Sequence, residues 1–600
     1  MSKVVHSPTF QSWDKDGAAV VRIAGVPGAG KTYTVFQEYM HQKKKSGYNA
    51  SDFIVVSFTK AHTDDCTDKF VDVWEEECDD TDKIHERIEK LWEKLSLEDN
   101  VSTFHARVWR ILSANGLVDS AKRQIIDPEN DADLFRGYWK ERGYSFVDTD
   151  TNPLELVQKG TEPDGKANKI VAVDEWLAQK YLPVDKVHRS PVDVPIPRSD
   201  LIDEIRAWRE WKQDQKYYQH HDYVKFAVEY KVVPPAKIIV IDEYQDYSPL
   251  EHKLMTIWRD SGVVDEVVIV GDGNQSIFGF KGASRKYFEG TPVDDEHVKS
   301  VSWRCPASIS NVACAIMDGP VMSSHPDETS VGDVGTVPVK GRRDLGDAVR
   351  RTIDQHDSVF LLARTNYQVG KIATALQREG IPFTTLGDKL SRGEWFMRDD
   401  ESGPWSDEII DVIRALRKAS DTGNVPGDLA DTLVSFTSNG QERRKMADAV
   451  EFDGLGSDGY AVELMSAFPQ CGSVSDIVSK LQVPDLQKEM IRGAMTSDVE
   501  LEPENVKVDT IHCSKGDEAD AVLLFDGYTT TLQKRFIADN EMQEEERRLY
   551  YVGVTRARKE LQIVSGFVGA EICPFFRSGI PRYYESDEQA FENTEVKNNE

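Results

Sequence analysis

The stretch that decides the fold reads Ile238-Ile239-Val240-Ile241-Asp242-Glu243-Tyr244-Gln245-Asp246. Four apolar, mostly β-branched residues in a row are typical of a strand that is buried on both faces of a parallel sheet. Asp242 and Glu243 follow at the carboxyl end of this strand, where ligands bind in open α/β sheets. Their oxygens suit Mg²⁺, which prefers hard oxygen ligands. A buried strand that ends in a solvated Asp-Glu turn would look the same, so the rest of the chain has to discriminate.

A strand and turn near the start of the chain carry a phosphate-binding pattern. The stretch Val20-Val21-Arg22-Ile23-Ala24, which predicts a short strand, is followed by Gly25-Val26-Pro27-Gly28-Ala29-Gly30-Lys31-Thr32, and this sequence fits GxxxxGK[ST] between a strand and a helix. Glycines let backbone N–H groups surround phosphates at a helix N-terminus. Lys31 is expected to contact the β- and γ-phosphates, and the Thr32 hydroxyl is expected to bind Mg²⁺. The pattern favours a nucleoside triphosphate site over a simple turn.

Further apolar runs also end in polar turns. They end at Phe58-Thr59-Lys60, at Thr103-Phe104-His105 and at Asp272-Gly273-Asn274-Gln275. The last turn continues into Phe278-Gly279-Phe280-Lys281, where exposed aromatics beside a lysine would suit base stacking, worth about 1–3 kcal/mol per base. Taken alone, Phe278 and Phe280 are more typical of a hydrophobic core. A lone histidine such as His105 is more often a structural hydrogen-bonding residue than a functional one.

Bulk composition narrows the class of protein. The chain has 600 residues, 39% of them hydrophobic, and a length of this size predicts about four domains. The net charge of −31 argues against a nucleic-acid partner, although net charge does not report the charge of one groove. Seven scattered cysteines without a CxxC pair favour a reducing compartment and argue against zinc or iron–sulfur sites. With neither a long apolar run nor a secretion leader, we expect a cytoplasmic, intracellular protein without a membrane partner.

The motifs GVPGAGKT, SFTKA, TFHA, IDEYQD and GDGNQSIFGFKGA occur in the order found in superfamily 1 DNA helicases of the UvrD/Rep type, which they resemble. The second half of the chain holds segments similar to the later motifs of that family. They are Ser302-Trp303-Arg304-Cys305-Pro306, Phe360–Asn366, Val508–Glu518 and Glu545–Ala557. So many motifs in the same order make a chance match negligible.

The resemblance implies an α/β fold of two RecA-like P-loop NTPase domains, in which helices flank parallel sheets. It places the first domain at 1–106 plus 222–300 and the second at 301–388 plus 504–585. Each domain would carry a mainly helical insertion, at 107–221 and, in shortened form, at 389–503. Residues 586–600 would form a polar tail.

The resemblance also implies how ATP and Mg²⁺ are bound and how ATP is hydrolysed. Asp242 and Thr32 would hold the metal, and Glu243 would act as general base on the attacking water. Gln275 would sense the γ-phosphate. Arg304 and Arg556 would reach that phosphate from the second domain, because an arginine fork stabilises the charge in transfer. The residues expected to bind the nucleotide are Gly25, Val26, Pro27, Gly28, Ala29, Gly30, Lys31, Thr32, Trp303 on the adenine and Glu518 on the ribose.

On the DNA side, the resemblance implies contacts by Phe58, Thr59, His105, Phe278, Phe280, Lys281, Thr510 and His512. Two of these positions depart from the family, where 280 is commonly tryptophan and 281 commonly arginine. Phe280 still stacks on a base, whereas Lys281 lacks the planar fork of arginine. The glutamine motif before the P-loop is poorly formed around Gln11, which leaves adenine selectivity open.

The function implied is an ATP-dependent 3′–5′ DNA helicase or translocase on single-stranded DNA and on single-strand/duplex junctions, in repair, recombination or replication. The shortened second insertion leaves open whether the lone chain unwinds duplex. One alternative is the motor subunit of a RecB/AddA-like helicase–nuclease, which would need a nuclease partner because the chain ends soon after the last motif; an accessory loading protein is a further possible partner. TFHA and DEYQD favour DNA over RNA. The other alternative is a nucleotide-switched DNA-binding protein, against which intact Glu243, Gln275, Arg304 and Arg556 argue.

Overall fold

The computed structural model describes residues 17–58, 60–74, 99–119, 122, 124–149, 152–158, 163–279, 282–283, 285–325, 332–386, 405–437, 450–451, 461–468, 470–497, 499–569 and 571–581. These residues form two compact units. The first comprises the described parts of Met1–Ser330 together with Asp539–Tyr551, and the second those of Val331–Ala538 together with Val552–Pro581.

The first unit contains the strands and helices of the predicted first domain and of its insertion, and also the segment from 301 to 325. Its strands are β1 (Ala19–Gly25), β2 (Phe53–Ser57), β3 (Val101–Thr103), β4 (Ile238–Ile241), β5 (Glu266–Gly271), β6 (Asp295–Lys299), β7 (Val301–Ser302) and β8 (Ser323–Ser324). Its helices are α1 (Lys31–Tyr33), α2 (His41–Lys45), α3 (Lys60–Trp74), α4 (Phe104–Ala114), α5 (Ala132–Glu141), α6 (Pro153–Gln158), α7 (Lys166–Gln179), α8 (Arg198–Gln215), α9 (His220–Tyr230), α10 (Pro249–Arg259), α11 (Arg285–Gly290) and α12 (Ala307–Ile316). π-helical residues Thr34–Met40 join α1 to α2, and short 3₁₀ helices lie at Ala50–Asp52, Val184–Arg189, Tyr244–Asp246 and Gly273–Gln275.

Six strands of the first unit form one sheet in the order β3-β2-β4-β5-β1-β6, and every neighbouring pair is parallel. β4 is buried throughout, as its apolar run predicts. Ile239 and Ile241 pack into the core on one face of the sheet, and Ile238 and Val240 pack into the core on the other. Because β4, β5 and β1 are adjacent, the turns that follow these three strands lie side by side at the carboxyl edge.

The predicted first insertion is helical and has a core of its own, built around Phe135, Trp139 and Trp208. The insertion predicted from the sequence runs from 107 to 221. Both numbers fall inside helices, α4 and α9, whose residues Val108 and Val224 pack in the core against the sheet. The helices α5 to α8 are therefore the part that packs separately from the sheet.

The second unit contains the remaining elements. Its strands are β9 (Asp333–Pro338), β10 (Val359–Ala363), β11 (Asn424–Pro426), β12 (Val450–Glu451), β13 (Ala461–Glu463), β14 (Val506–Thr510), β15 (Ala519–Phe525), β16 (Gly527–Tyr528), β17 (Ala557–Ser565) and β18 (Glu571–Ile572). Its helices are α13 (Arg342–Ile353), α14 (Asn366–Glu379), α15 (Asp407–Thr422), α16 (Gly427–Ser435), α17 (Leu464–Ala467), α18 (Val474–Ile477), α19 (Asp485–Met495) and α20 (Thr530–Ala538), with 3₁₀ turns at Val478–Lys480, Pro503–Asn505 and Pro574–Phe576. The helix α21 (Asn540–Val554) begins in the first unit and ends in the second.

The sheet of the second unit has the order β14-β10-β15-β17-β9 and is also parallel throughout. One continuous core joins Leu361 and Val508 of this sheet to Ile413 of α15 and Met490 of α19. The second insertion, unlike the first, therefore shares its core with the sheet. The two parallel sheets flanked by helices confirm the predicted fold class. In the part of the chain that the structure describes, no helix is long and apolar enough to cross a membrane.

The compact units divide the chain at other residues than the predicted domains. We place 301–325 and 539–551 in the second domain from the sequence, whereas the structure groups both segments with the first unit. The hydroxyl of Ser302 donates to the carbonyl of Pro27 (2.7 Å), and the guanidinium of Arg548 donates to the carbonyl of Ser276 (2.7 Å). These bonds join residues more than 270 positions apart, which explains why no local pattern indicates them.

Candidate functional site

The P-loop follows β1 as predicted and leads directly into a helix. Gly28 and Gly30 have φ angles of +70° and +74°, a left-handed conformation that favours glycine. The helical run then begins at Lys31, whose Nζ donates to the carbonyl of Gly25 (2.9 Å). Lys31 is thus folded back over the loop in which phosphates are expected, and Thr32 follows at the same helix start, half-buried.

The turn after β4 brings the predicted carboxylates together. The backbone N–H of Asp242 donates to the carbonyl of Val56 on β2 (2.9 Å), and the N–H of Glu243 donates to Asp242 Oδ1 (3.0 Å). Glu243 has a φ of 52°, which is uncommon for a residue other than glycine and concentrates at functional sites. One ligand atom each of His62, Asp242 and Glu243 lies within 4.8 Å of the other two.

The electrostatics of this cluster suit a divalent cation. Burial raises the pKa of Asp242, and the adjacent carboxylate of Glu243 raises it further, whereas His62 and Lys31 act in the opposite direction. Two desolvated carboxylates that repel each other are stabilised by a bound metal ion. The carboxylate oxygens are the ligands that Mg²⁺ prefers, whereas the imidazole nitrogen of His62 suits transition metals and does not add to this fit. The residues present therefore fit the predicted metal.

A chain of hydrogen bonds leads from Glu243 to Gln275. Gln245 Nε2 donates to Glu243 Oε2 (2.5 Å), and Gln245 Oε1 accepts from the backbone N–H of Asp272 (3.1 Å). Gln275 Nε2 then donates to Asp272 Oδ2 (2.9 Å). Gly271 makes room for this chain, because a Cβ there would lie 2.0 Å from Gln245 Oε1. Gln245 therefore orients Glu243 and connects it to the turn that carries Gln275.

The segment after β7 packs on the P-loop. In addition to the bond from Ser302 to Pro27, the backbone N–H of Trp303 donates to the carbonyl of Gly28 (2.9 Å). A Cβ on Gly28 would lie 2.4 Å from Arg304 Cβ and 3.0 Å from the backbone nitrogen of Arg304. The close approach of the two backbones therefore requires glycine at position 28.

The same packing decides which compact unit holds Arg304. Arg304 lies in the first unit, with the P-loop, because the backbone around it is hydrogen-bonded to the loop, whereas the sequence analysis placed it with the second domain. Its contact with the γ-phosphate stays a prediction. Trp303 is 58% exposed, and its ring stacks on His325 with centroids 3.2 Å apart. An exposed indole beside the P-loop suits the predicted stacking on a nucleotide base.

The remaining predicted nucleotide ligands lie in the second unit. Arg556 follows α21, is 1% exposed and donates to the carbonyls of Val552 and Asp517 (both 3.0 Å). Glu518 is exposed and accepts from Arg558 (3.4 Å). The predicted contacts of Arg556 with the γ-phosphate and of Glu518 with the ribose stay predictions.

Three of the predicted DNA-facing residues come together in the first unit. Phe58 stacks on Phe278 (centroids 5.4 Å apart, planes at 28°), and His105 Nε2 lies 3.5 Å from Glu251 Oε1. Phe58 and His105 line a cavity of about 250 Å³ that Glu175 and Gln179 of the insertion also line. Phe278 is half-buried, so it is neither a full core residue nor fully exposed.

The other predicted DNA-facing residues lie elsewhere. In the second unit, Thr510 ends β14 beside Ala363, the last residue of β10, and the half-buried His512 follows in the next turn. Thr510 itself is buried, and its hydroxyl accepts from the backbone N–H of Cys513 (3.4 Å). The predicted residues Thr59, Phe280 and Lys281 lie outside the described residues.

Sequence reasoning missed several residues of the site. His62 approaches the carboxylates from the first turn of α3, and His325 reaches Trp303 because β8 pairs with β7. Asp272 directly follows β5, just as Asp242 directly follows β4. This shared position after a buried strand is the sequence feature that could have indicated Asp272. For His62 and His325, only the three-dimensional arrangement reveals the contact.

Comparison with known families and proteins adds an independent observation. Residues 14–292 match the family described as UvrD/REP helicase N-terminal domain, and residues 478–566 match the one described as UvrD-like helicase C-terminal domain. Together these matches cover more than half of the chain.

Individual relatives are distant. The chain is 26% identical over 359 residues to a protein named ATP-dependent DNA helicase UvrD2 from Mycobacterium tuberculosis, which covers 54% of this chain and 47% of the relative. It is 22% identical over 674 aligned positions to ATP-dependent DNA helicase UvrD1 of the same species, covering 92% and 81%. It is also 22% identical over 444 residues to the mitochondrial ATP-dependent DNA helicase HMI1 from Saccharomyces cerevisiae, covering 67% and 55%. The chain thus spans about half the length of the UvrD2 proteins it matches.

Proposed function

This chain belongs to the UvrD/Rep-type superfamily 1 helicases, and we propose that it is a motor that couples ATP hydrolysis to movement along single-stranded DNA and to separation of duplex. We propose the 3′–5′ direction, an intracellular location and a role in repair, recombination or replication from the family resemblance. The observation that carries the proposal is the hydrogen bond from Gln245 to Glu243, which joins the candidate general base to the turn of Gln275.

We assign the hydrolytic step to the carboxyl edge of the first sheet. Lys31 is expected to exchange the carbonyl of Gly25 for phosphate oxygens when a nucleotide enters. Thr32 and Asp242 would hold Mg²⁺, which when bound neutralises phosphate charge. Glu243 would accept a proton from the attacking water, and Gln245 keeps its carboxylate oriented for that transfer.

We assign charge stabilisation and base recognition to residues outside that edge. Arg304 and Arg556 would stabilise the negative charge of the transferring phosphoryl group, for which a planar guanidinium is well matched. Trp303 would stack on the adenine, and Glu518 would contact the ribose. ATP and Mg²⁺ are therefore the ligands that we propose for this site.

We assign single-stranded DNA to the aromatic edge of the first unit. The stacked pair Phe58 and Phe278 offers ring faces of the kind that bases stack on without sequence preference. The other contacts that we propose are those of His105, Thr59, Phe280 and Lys281 in the same part of the chain and those of Thr510 and His512, which belong to the second unit. The net charge of −31 implies that the rest of the protein surface binds DNA phosphates only weakly and without specificity.

Strand displacement on 3′-tailed and 5′-tailed duplexes tests the proposal. With ATP and Mg²⁺, we expect the 3′-tailed duplex to be separated and the 5′-tailed duplex to stay intact. Separation of the 5′-tailed duplex alone would overturn the direction. A lack of separation together with a lack of DNA-stimulated hydrolysis would overturn the motor and favour the nucleotide-switched binding protein. Repeating the assay with GTP decides whether the site selects adenine.

A further inference from the structure

The loop that follows Gln275 is held by side chains from two distant parts of the chain. The carbonyl of Ser276 accepts from Arg548 Nε on α21 (2.7 Å). The carbonyl of Gly279 accepts from Nζ of Lys180, the residue that caps α7 of the helical insertion (3.3 Å). The segment Ser276–Gly279 therefore has a cation bonded to the carbonyl at each of its ends.

Close packing around Gly279 and Gly282 shows that this arrangement is specific. The backbone N–H of Gly282 also donates to the carbonyl of Gly279 (2.9 Å). Gly282 has a φ of +90°, and a Cβ there would lie 3.0 Å from Lys180 Cδ. The aliphatic stem of Lys180 thus lies against Gly282, while its ammonium group donates to the carbonyl of Gly279.

A carboxylate also lies against the loop, and we call the contacts of Lys180, Arg548 and Glu545 with Ser276–Gly279 the clamp. A Cβ on Gly279 would lie 2.8 Å from Glu545 Oε1, so Glu545 of α21 lies directly against the loop backbone. The pKa of Lys180 lies below its ordinary value because the group is partly buried, and the carboxylates of Glu541 and Glu545 offset this only in part. An ammonium group that is partly desolvated keeps its charge most readily beside such carboxylates.

The loop connects the candidate hydrolytic site to the candidate DNA surface. Its first residue follows Gln275, the candidate γ-phosphate sensor, and its Phe278 stacks on Phe58 at the candidate DNA surface. The hydroxyl of Ser276 donates to the carbonyl of Gln245 (3.0 Å), which links the loop to the Glu243 turn as well. A change in the conformation of the loop would therefore alter both the hydrolytic site and the DNA surface.

We propose that Lys180 is a positioning residue that ties the helical insertion to the loop Ser276–Gly279 and thereby sets how strongly DNA binding at Phe278 stimulates hydrolysis at Glu243. The first half of this inference rests on contacts alone, and the second half rests on the proposed function. A lysine that merely caps α7, favoured there by the helix dipole, would leave both the loop and the stimulation unchanged when replaced.

The test uses the full-length protein with Lys180→Met, which keeps most of the stem and removes the charge, and with Lys180→Arg, which restores a charged donor. Lys140→Met is the matched control, because Lys140 is an exposed lysine in the last turn of another insertion helix, α5. The first measurement is amide hydrogen exchange of the loop, including the N–H of Gly282, without nucleotide or DNA. We expect Lys180→Met to speed this exchange about tenfold, as for the loss of one hydrogen bond from a charged donor, and Lys180→Arg to restore it.

The second measurement is ATP turnover with and without single-stranded DNA. We expect Lys180→Met to lower the DNA-stimulated part about threefold or more, with the basal part and the Lys140→Met control unchanged. Unchanged loop exchange in Lys180→Met would overturn the clamp, whatever the turnover. Faster exchange with normal stimulation would overturn the positioning role. Absence of stimulation in the unaltered protein would instead overturn the proposed function, and the exchange measurement would still decide on the clamp.

Discussion

The side-chain amide of Gln245 donates to the carboxylate of Glu243 over 2.5 Å, and the same amide accepts from the backbone N–H of Asp272. Both partners of Gln245 lie in turns that follow strands, one after β4 and one after β5. A single side chain thus sets the orientation of the candidate base relative to the turn that carries the candidate γ-phosphate sensor. Its removal is the most selective way to disturb the proposed site without touching a phosphate or metal ligand.

Replacement of Gln245 by leucine should lower ATP turnover more than ATP binding. The substitution keeps the size of the side chain but removes the donor to a charged acceptor, an interaction worth about 1.5–3 kcal/mol. We therefore expect kcat to fall on the order of 10- to 100-fold, with KM nearly unchanged. Gln37→Leu, on the exposed side of the helical run after the P-loop, is the control. Equal loss in both variants, or normal turnover of Gln245→Leu, would contradict the role assigned to Gln245.

Replacement of Gly28 by alanine should weaken ATP binding. The new methyl group would lie 2.4 Å from Arg304 Cβ, and position 28 has a positive φ, so both the P-loop and the Trp303 segment would have to move. We expect KM for ATP to rise about tenfold or more, since backbone strain of this kind alone costs about 1–3 kcal/mol. Gly47→Ala, which also has a positive φ but no atom within 4 Å of the added Cβ, separates strain from contact. If both variants keep a normal KM, the packing of the two segments does not support the site.

Replacement of Trp303 by alanine should raise KM for ATP and leave kcat nearly unchanged. Loss of one aromatic stacking partner corresponds to about 0.5–1.5 kcal/mol, or a rise of about 2- to 10-fold. Tyr230→Ala is the matched control, because Tyr230 has the same 58% exposure at the end of α9. An unchanged KM in Trp303→Ala would show that the base is bound elsewhere.

Replacement of Lys212 by methionine should destabilise the first insertion at neutral pH. Lys212 is 2% exposed and lies 3.5 Å from Asp174, which is fully buried, and 2.5 Å from Asp222. Removing one partner of a buried ion pair costs about 3–5 kcal/mol. Chemical denaturation followed by fluorescence of the Trp139 and Trp208 cluster measures the change. Arg206→Met, which removes an exposed ion pair on the same helix, should cost less than about 1 kcal/mol.

The cost of Lys212→Met should also depend on pH. Burial raises the pKa of Asp222, but Lys212 and His221 outweigh it, so the pKa lies below its ordinary value; Arg209, Lys212 and His221 lower that of Asp174 in the same way. A depressed carboxyl pKa gives stability that is present above the unfolded value of about 3.9 and is lost as the pH falls through the folded value. The difference between variant and unaltered protein should therefore be full at pH 7 and shrink below about pH 4. A constant difference down to pH 2 would contradict this account.

Much of the site was predictable because its chemistry follows strands. The buried runs that became β1, β4 and β5 end in Gly25, Asp242 and Gln275 turns, and parallel strands place such turns at one edge. The order of the motifs led to the family resemblance, and the resemblance in turn predicted both parallel sheets. The sequence predicts where a residue lies when that place depends on its position along its own strand, and the roles assigned to these residues stay predictions.

What the sequence did not reveal depends on contacts between distant segments. The bond from Ser302 to Pro27 spans 275 residues, and no periodicity or local motif encodes it. The same holds for the bond from Lys180 to the carbonyl of Gly279, which joins residues 99 positions apart. In the second insertion, apolar residues such as Ile413 and Met490 join the core of the sheet, and the sequence does not indicate this contact. An apolar helix face indicates that the helix packs against another element of the fold, but it does not indicate which element.

The measurement that tests the central claim most directly is ATP turnover by the unaltered protein and by Glu243→Gln, each with and without single-stranded DNA at moderate salt, alongside equilibrium binding of ATP. We predict that DNA stimulates the unaltered protein, and that Glu243→Gln loses turnover but still binds ATP, because it keeps the P-loop and lacks only the proton acceptor. Turnover that DNA does not stimulate, or a Glu243→Gln variant that hydrolyses ATP normally, would contradict the account.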